Sequence, residues 1–340
     1  MSELRRGYLY GLVAYASWGF FPLYFKLLRP AGALEILAHR VVWSAVFIAL
    51  LLSAMRGWRS IAALRHRRRT LGMIALAAVL IAVNWGVYIY GVNSSHVVET
   101  SLGYFITPLI SVAFGLMLFG ERLRAPQWAA LGLGAVAVVV LTVDYGRLPW
   151  IALTLAGSFS CYGLVKKRLG LPPANGLFVE SGLLALPGLA YLGWLTAAGQ
   201  STFGHGAAGH ATAWHTAAGH AALLLVSGPL TAVPLLLFAG AANRIPMTGL
   251  GILQYVAPIL QLFCGVVIYH EPMPTAQLLG FGLVWLALVV FTWDALAAAR
   301  RQRLSVRRVP EQGLAGVVGE LEARDVGGGD VSGAMERLSG

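Results

Sequence analysis

The sequence predicts an all-α integral membrane protein: ten transmembrane helices arranged as two inverted five-helix repeats. Three observations predict it. The composition is too apolar for water, ten apolar stretches have helix length, and an internal repeat contains an odd number of them. Of 340 residues, 58% are hydrophobic and 11% are charged, against about 25% charged in an ordinary soluble domain. A soluble fold has too little polar surface to cover so much apolar side chain, so the solvent is lipid. In lipid every backbone N–H and C=O must be bonded within the protein, which leaves helices or closed barrels. Barrel strands alternate apolar and polar residues; these stretches stay apolar throughout.

A span takes about 20 mostly apolar residues. The first, 7–26, follows Arg5 and Arg6 and runs on as a full span without a small-residue cleavage site, so no cleavable leader is expected. The second, 36–55, ends at a basic run from Arg56 to Arg69, and the third is 71–91. Spans 100–119 and 126–143 are joined by the tight link Gly120 to Ala125, and Asp144 to Leu148 leads into 149–165. Links this short make their neighbours antiparallel. Lys166, Lys167 and Arg168 separate the sixth span from the seventh, 176–197, and a loop of about 199–220 precedes 222–242. The last two spans are 248–269 and 276–294; from Arg300 the chain turns polar and Gly-rich, a tail expected to carry no chemistry.

Lysine and arginine set the orientation. With the N-terminus in the cytoplasm, 21 of the 25 basic residues fall in inner segments or the tail. Lys26, Arg29 and Arg147 fall outside, and Arg40 lies within a span. Both termini are therefore expected inside, which requires an even number of spans. The net charge of +11 reads as this orientation signal and as contact with anionic lipid, and not as a nucleic-acid surface.

Shifting the chain by 150 residues sets Asn93 on Asn243, Pro108 on Pro258, Gly115 on Gly265, Glu121 on Glu271, Gln127 on Gln277 and Asp144 on Asp294. Nearer the N-terminus a shift of 141 sets Ser17 on Ser158 and Lys26 on Lys167. Spans one to five thus resemble spans six to ten. Five is odd, so the second copy is inverted, the architecture of many secondary transporters. The expected domains are 1–146, 147–297 with the outer loop, and the tail 298–340.

The stretches GYLYGLVAYASWGFFPLYFK, EILAHRVVWS, NWGVYIYGVNSSHVVETSLGYFITPL and GILQYVAPILQLFCGVVIYHEP resemble the RarD group of the EamA-type proteins, in the drug/metabolite transporter superfamily. The resemblance covers roughly residues 5–295. It implies ten helices in two inverted EamA repeats, a bacterial inner membrane and permease activity. The group is named for chloramphenicol sensitivity, which does not define a physiological substrate.

Ionisable groups within a span are costly and tend to be functional or paired. The candidates are His39, Arg40, Glu99 and Glu180. The 141 shift sets His39 on Glu180, so Arg40 and Glu180 are expected on opposite sides of one cavity, with Arg40 attracting a carboxylate or phosphate. A structural ion pair or snorkelling of Arg40 to the interface is the competing reading. Glu180, His39 and Glu99 are candidate proton-coupling groups, although Glu99 equally suits a cap on the helix starting near Thr100. Trp18, Asn84, Trp85, Tyr88, Asn93, Tyr104, Gln254 and Tyr255 are candidate cavity residues, since aromatics hold flat or cationic ligands. Pro108 and Pro258 are candidate gating hinges. Glu121 and Glu271 read as structural acceptors for helix-end donors, and Cys161 and Cys264 as core filler.

His205, His210, His215 and His220 recur every five residues, a step that turns about 140° on a helix and gathers no metal face. No metal or cofactor is expected. No G-x-x-x-x-G-K-[ST], H-E-x-x-H or Ser/His constellation is present, which argues against an ATP-driven pump and against an intramembrane enzyme. The expectation is a secondary transporter working by alternating access, with a non-transporting sensor or helper subunit as the alternative. The expected partners are a small-molecule substrate and the lipid bilayer, with no nucleic acid, and a homodimer is a candidate assembly.

Overall fold

The structure, a computed structural model, describes residues 3–56, 58, 61, 68–119, 124–169, 171, 173–204, 216–245, 253–294 and 296–297. The expectations for Glu121, for His205, His210 and His215, and for the tail lie outside the described residues. The chain divides into a unit of residues 1–290 and a unit from residue 291 on. In the second unit, residues 291–294 and 296–297 are helical.

Among the described residues the regular structure is helical throughout. The helices are α1 Glu3–Gly19, α2 Phe21–Leu27, α3 Ala33–Ala54, α4 Arg68–Asn93, α5 Val97–Phe119, α6 Ala125–Tyr145, α7 Trp150–Leu169, α8 Pro173–Ala197, α9 Ala217–Ala242, α10 Val256–Phe263 and α11 Thr275–Asp294. A π-helical turn, Cys264–Ile268, follows α10. By length and composition, α3, α4, α6, α8, α9 and α11 are each long and apolar enough to cross a membrane. Large apolar side chains such as Leu50, Val143 and Leu186 point outward, 66%, 77% and 73% exposed. A water-soluble protein does not present such a surface, and this one is a multi-pass membrane protein.

The first span is broken where the sequence suggested one helix. Pro22 has no N–H to give the Trp18 carbonyl, and its ring crowds that carbonyl. The chain turns at Phe20 between α1 and α2. The stranded carbonyls find partners on the far end of the chain: Gln261 Nε2 donates to Trp18 O at 3.2 Å, and the Cys264 thiol approaches Gly19 O at 3.9 Å. Cys264 is therefore more than filler, while Cys161 is half-buried and free.

Residues from both ends of the sequence share one core. Phe21, Phe25, Ile36, Tyr88, Ile89, Val92 and Val97 pack with Ile151, Leu155, Leu224 and Cys264. α3 packs most extensively on α8 and α9, α7 packs on α4 and α5, and α1 packs on α9. At the end of the bundle nearest Glu3, Arg244 links α9 to α1 by donating to Glu3 at 2.9 Å. That hydrogen bond holds the exposed Glu3 carboxyl below the usual carboxylate range. The opposite, distal end is tied by side chains that reach backbone carbonyls. Tyr24 Oη donates to Leu223 O at 2.6 Å, Tyr269 Oη to Pro22 O at 3.2 Å, and the Arg29 guanidinium to Asn93 O.

Candidate functional site

α3 carries most of the buried polar chemistry. Glu35, His39 and Trp43 stand four residues apart and so share one face. The Trp43 indole N–H donates to His39 Nδ1 at 3.2 Å, which leaves the ring proton on Nε2, buried and without a partner. Phe203 stacks on the His39 ring at 5.1 Å between centroids. Glu35, 3% exposed, accepts the Thr202 amide at 2.7 Å and the Ser201 hydroxyl at 3.4 Å. Thr202 Oγ1 in turn lies 3.0 Å from His220 Nε2. One buried carboxylate thus holds residues 201–203 over the distal end of α3. Glu35→Ala removes a charged acceptor from a backbone N–H, so exchange of the Thr202 amide is expected to quicken about 10- to 100-fold, read by hydrogen–deuterium exchange.

Arg40 lies on a different face of α3. It is 3% exposed, so it does not snorkel. Nε donates to Thr231 Oγ1 of α9 at 2.6 Å, and the guanidinium carbon sits 4.1 Å from the centroid of the Trp85 ring. Phe21 and Phe25 flank it at 5.4 and 5.6 Å. Nη1 is buried and has no partner. Beside Arg40 the helices α3 and α9 come close, and Ser44 Oγ donates to Gly228 O at 3.3 Å.

Arg40 and Glu180 are not brought together. Glu180, 1% exposed, accepts Lys166 Nζ at 2.7 Å and Tyr162 Oη at 3.0 Å. Its ion pair is made within the second half of the sequence, across the α7–α8 connection. The competing reading of an ion pair between Arg40 and Glu180 is not realised, and the reason is reach: Lys166, near the end of α7, lies closer to Glu180, near the start of α8. Glu99 is also corrected. It sits in the first turn of α5 but caps a different helix, accepting the Ile151 amide of α7 at 3.1 Å and pairing with Arg147 at 2.9 Å. The N-terminus of α5 is capped instead by Glu271, whose two oxygens accept Val97 N and Val98 N, each at 2.9 Å. This is the structural role that the sequence assigned to Glu271. The lack of a Cβ at Gly265 makes room, because one there would stand 3.0 Å from Val98 Cγ2.

The remaining candidates form a polar seam with an aromatic lining. Asn84 Nδ2 donates to Leu155 O and Ser158 Oγ at 2.9 and 3.0 Å, and its Oδ1 accepts Tyr104 Oη at 3.2 Å. Asn84 is thereby spent on joining α4, α5 and α7. Tyr88 lies between Phe25 and Tyr104, at 5.9 and 5.6 Å, with its hydroxyl buried and unpartnered. Trp18 meets Tyr15 and Phe238 ring to ring and also packs on the core that holds Phe21, Phe25 and Tyr88. Asn93 lies at the distal end, its Oδ1 buried and unpartnered. Gln254 and Tyr255 occupy the turn before α10. Pro108 is inside α5, whereas Pro258 is in the first turn of α10, where a missing N–H costs nothing.

Ring and hydrogen-bond contacts thus gather Arg40, Trp85, Tyr88, Asn84 and Tyr104 around Phe25. Sequence reasoning missed Thr231, Lys166, Arg147 and Glu35. The first three are partners that only folding brings near. Glu35 was legible as an acid at the edge of the second span.

Residues 5–143 match the model of the EamA-like transporter family. A RarD protein of Streptomyces exfoliatus is 53% identical over 89% of this chain and 93% of its own length. The uncharacterized transporter YojE of Bacillus subtilis is 39% identical over 89% and 98%. A protein of known crystal structure, 18% identical, superposes with a TM-score of 0.51 over 84% of this chain and 96% of its own; at that identity the likeness concerns the fold alone.

Proposed function

Because the chain belongs to the RarD group of EamA-type transporters, we propose that it is an inner-membrane permease for a small organic metabolite or drug-like compound. It works by alternating access between two inverted halves of five spans each, with both termini in the cytoplasm.

The observation that carries this reading is paired packing. The repeat relates α1–α2 to α7, α3 to α8, α4 to α9 and α5 to α10. Helix contacts come in matching pairs on that scheme: α4 on α7 and α9 on α1, α5 on α7 and α10 on α1, α3 on α9 and α8 on α4. α3 and α8 pack on each other, as helices beside a two-fold axis do. Two near-equivalent halves can exchange conformations and expose one central site to each side in turn. The distal links through Glu271, Glu99, Tyr24 and Tyr269 join first-half to second-half residues, and they are the contacts an outward opening has to break.

Of the three coupling candidates, Glu180 is retained. Glu180 meets only side chains, Lys166 and Tyr162, whereas Glu99 also holds the Ile151 backbone amide and His39 is covered by Phe203. Protonating Glu180 would release Lys166, which gives a proton a mechanical consequence. The test is uptake and efflux in reconstituted liposomes against a metabolite panel, with and without a pH gradient. At least one compound is expected to move down its coupled gradient, and Glu180→Gln is expected to abolish the response to pH while leaving exchange across a concentration gradient. A panel that stays still in both directions would hand the protein to the sensor or helper reading.

A further inference from the structure

We propose that Arg40 is the anion-recognition group of the transport site, so that the cargo is a small organic anion. Its carboxylate or phosphate pairs with the guanidinium, and its apolar body packs beside Trp85. This deepens the permease reading and rests on it.

The guanidinium is always charged and carries five N–H donors. Here it is 3% exposed, Nη1 has no partner, and among the described residues no acidic side chain lies within ion-pair distance. The buried acids nearby in sequence or space are all spent elsewhere: Glu35 on Thr202, Glu99 on Arg147 and Ile151, Glu180 on Lys166, Glu271 on Val97 and Val98. Thr231 supplies one neutral acceptor, and Trp85 supplies a ring face at 4.1 Å. Neither neutralises the charge. Buried charges in proteins are paired or bind ions, and a lone one inside a span is costly.

The repeat sharpens the argument. Under the 141 shift, Tyr162 and Lys166, which hold Glu180, correspond to Phe21 and Phe25, which flank Arg40. Glu180 itself corresponds to His39, the residue before Arg40, so the match is one of neighbourhood, and in the second half that neighbourhood supplies a counter-ion. In the first half it supplies two phenyl rings, so Arg40 has aromatic walls and, among the described residues, no counter-ion. Tyr88, next to Phe25, adds a second buried donor without a partner. Two unfilled donors and a net positive charge select an anion over a cation or a neutral amide.

The test uses the full chain in nanodiscs, with benzoate, indole-3-acetate and phenylphosphonate as probes. Benzamide, indole-3-acetamide and benzylamine are their matched neutral and cationic controls. At about tenfold over Kd an acid is expected to raise the thermal midpoint by roughly 2–4 °C, and the controls are not. Arg40→Lys should weaken the response about 10-fold, and Arg40→Met should abolish it. Removing an unpaired buried charge relieves the empty protein, so Arg40→Met should unfold at or above the wild-type midpoint. A collapse of that variant would mark Arg40 as structural and overturn the proposal. So would amides that stabilise as well as acids, acids that act equally on Arg40→Met, or no acid acting on the wild type. Discs of phosphatidylcholine alone and discs with phosphatidylglycerol separate the anion's source. An Arg40-dependent midpoint that rises only with phosphatidylglycerol would make the ligand a lipid headgroup and overturn the assignment to cargo. Liposome transport that survives Arg40→Met would sink the anion site and leave the carrier. Arg40-dependent acid binding with no transport by the wild type would do the reverse.

Discussion

Glu271→Ala is expected to cost about 3–5 kcal/mol of stability. The carboxylate accepts two backbone amides of α5, Val97 N and Val98 N, both at 2.9 Å and both buried. The first amides of a helix have no partner within the helix, and the helix dipole favours a negative group there. Val97 and Val98 are 0% and 4% exposed, so without the carboxylate both donors would be left bare, each a charge-assisted bond of about 1.5–3 kcal/mol. The contact also joins segments 174 residues apart in the chain, so the variant is expected to loosen the distal end before the rest. Denaturant unfolding in mild detergent gives the total loss, and hydrogen exchange at Val97 and Val98 gives its location. Glu271→Gln keeps an acceptor for one amide and should lose roughly half as much. A stability within about 0.5 kcal/mol of wild type for Glu271→Ala would mean that the cap carries little.

Gly228→Ala is expected to be the most damaging single methyl. A Cβ at that position would collide with the backbone carbonyl of Trp43, atoms of α3 that cannot rotate away. α9 would have to withdraw from α3, at about 1–3 kcal/mol for overpacking. The same withdrawal pulls Thr231 from Arg40, because both contacts lie on one side of α9. Gly182→Ala and Gly193→Ala on α8 are the controls, since nothing stands within 4 Å of a Cβ at either position. They should stay within about 0.5 kcal/mol of wild type or gain slightly from better helix propensity. Equal melting temperatures for Gly228→Ala and these controls would refute the close approach. Small residues let helices meet closely in lipid, where no hydrophobic force drives them together. A sequence shows many glycines and does not show which of them meets a backbone.

Much of the architecture was legible. Apolar runs of helix length locate α3 to α9 and α11 to within a few residues of the predicted spans, because lipid demands an unbroken apolar surface and an internally bonded backbone. The break at Phe20 was not foreseen, although Pro22 was there to read. Hydropathy does not register a missing N–H, and the cost depends on Gln261 being at hand.

The site was legible by residue type more than by partnership. That Arg40 and Glu180 are unusual follows from the cost of a charge within a span, which needs no coordinates. Their separation does not follow, and neither does the choice of helix that Glu99 caps, since a carboxylate in a first turn has the same local signature whichever amide it reaches.

By itself the sequence determined the membrane class, the helical state and the short set of residues too polar for their surroundings. Each of these depends on composition or on spacing along the chain. Only the tertiary structure decided which carboxylate takes which donor, which glycine meets a backbone and which buried charge, among the described residues, has no counter-ion. Those depend on distances of about 3 Å between residues far apart in sequence, such as Arg40 and Thr231 or Glu271 and Val97, and hydrogen bonds fall off too steeply with distance and angle for spacing to predict them.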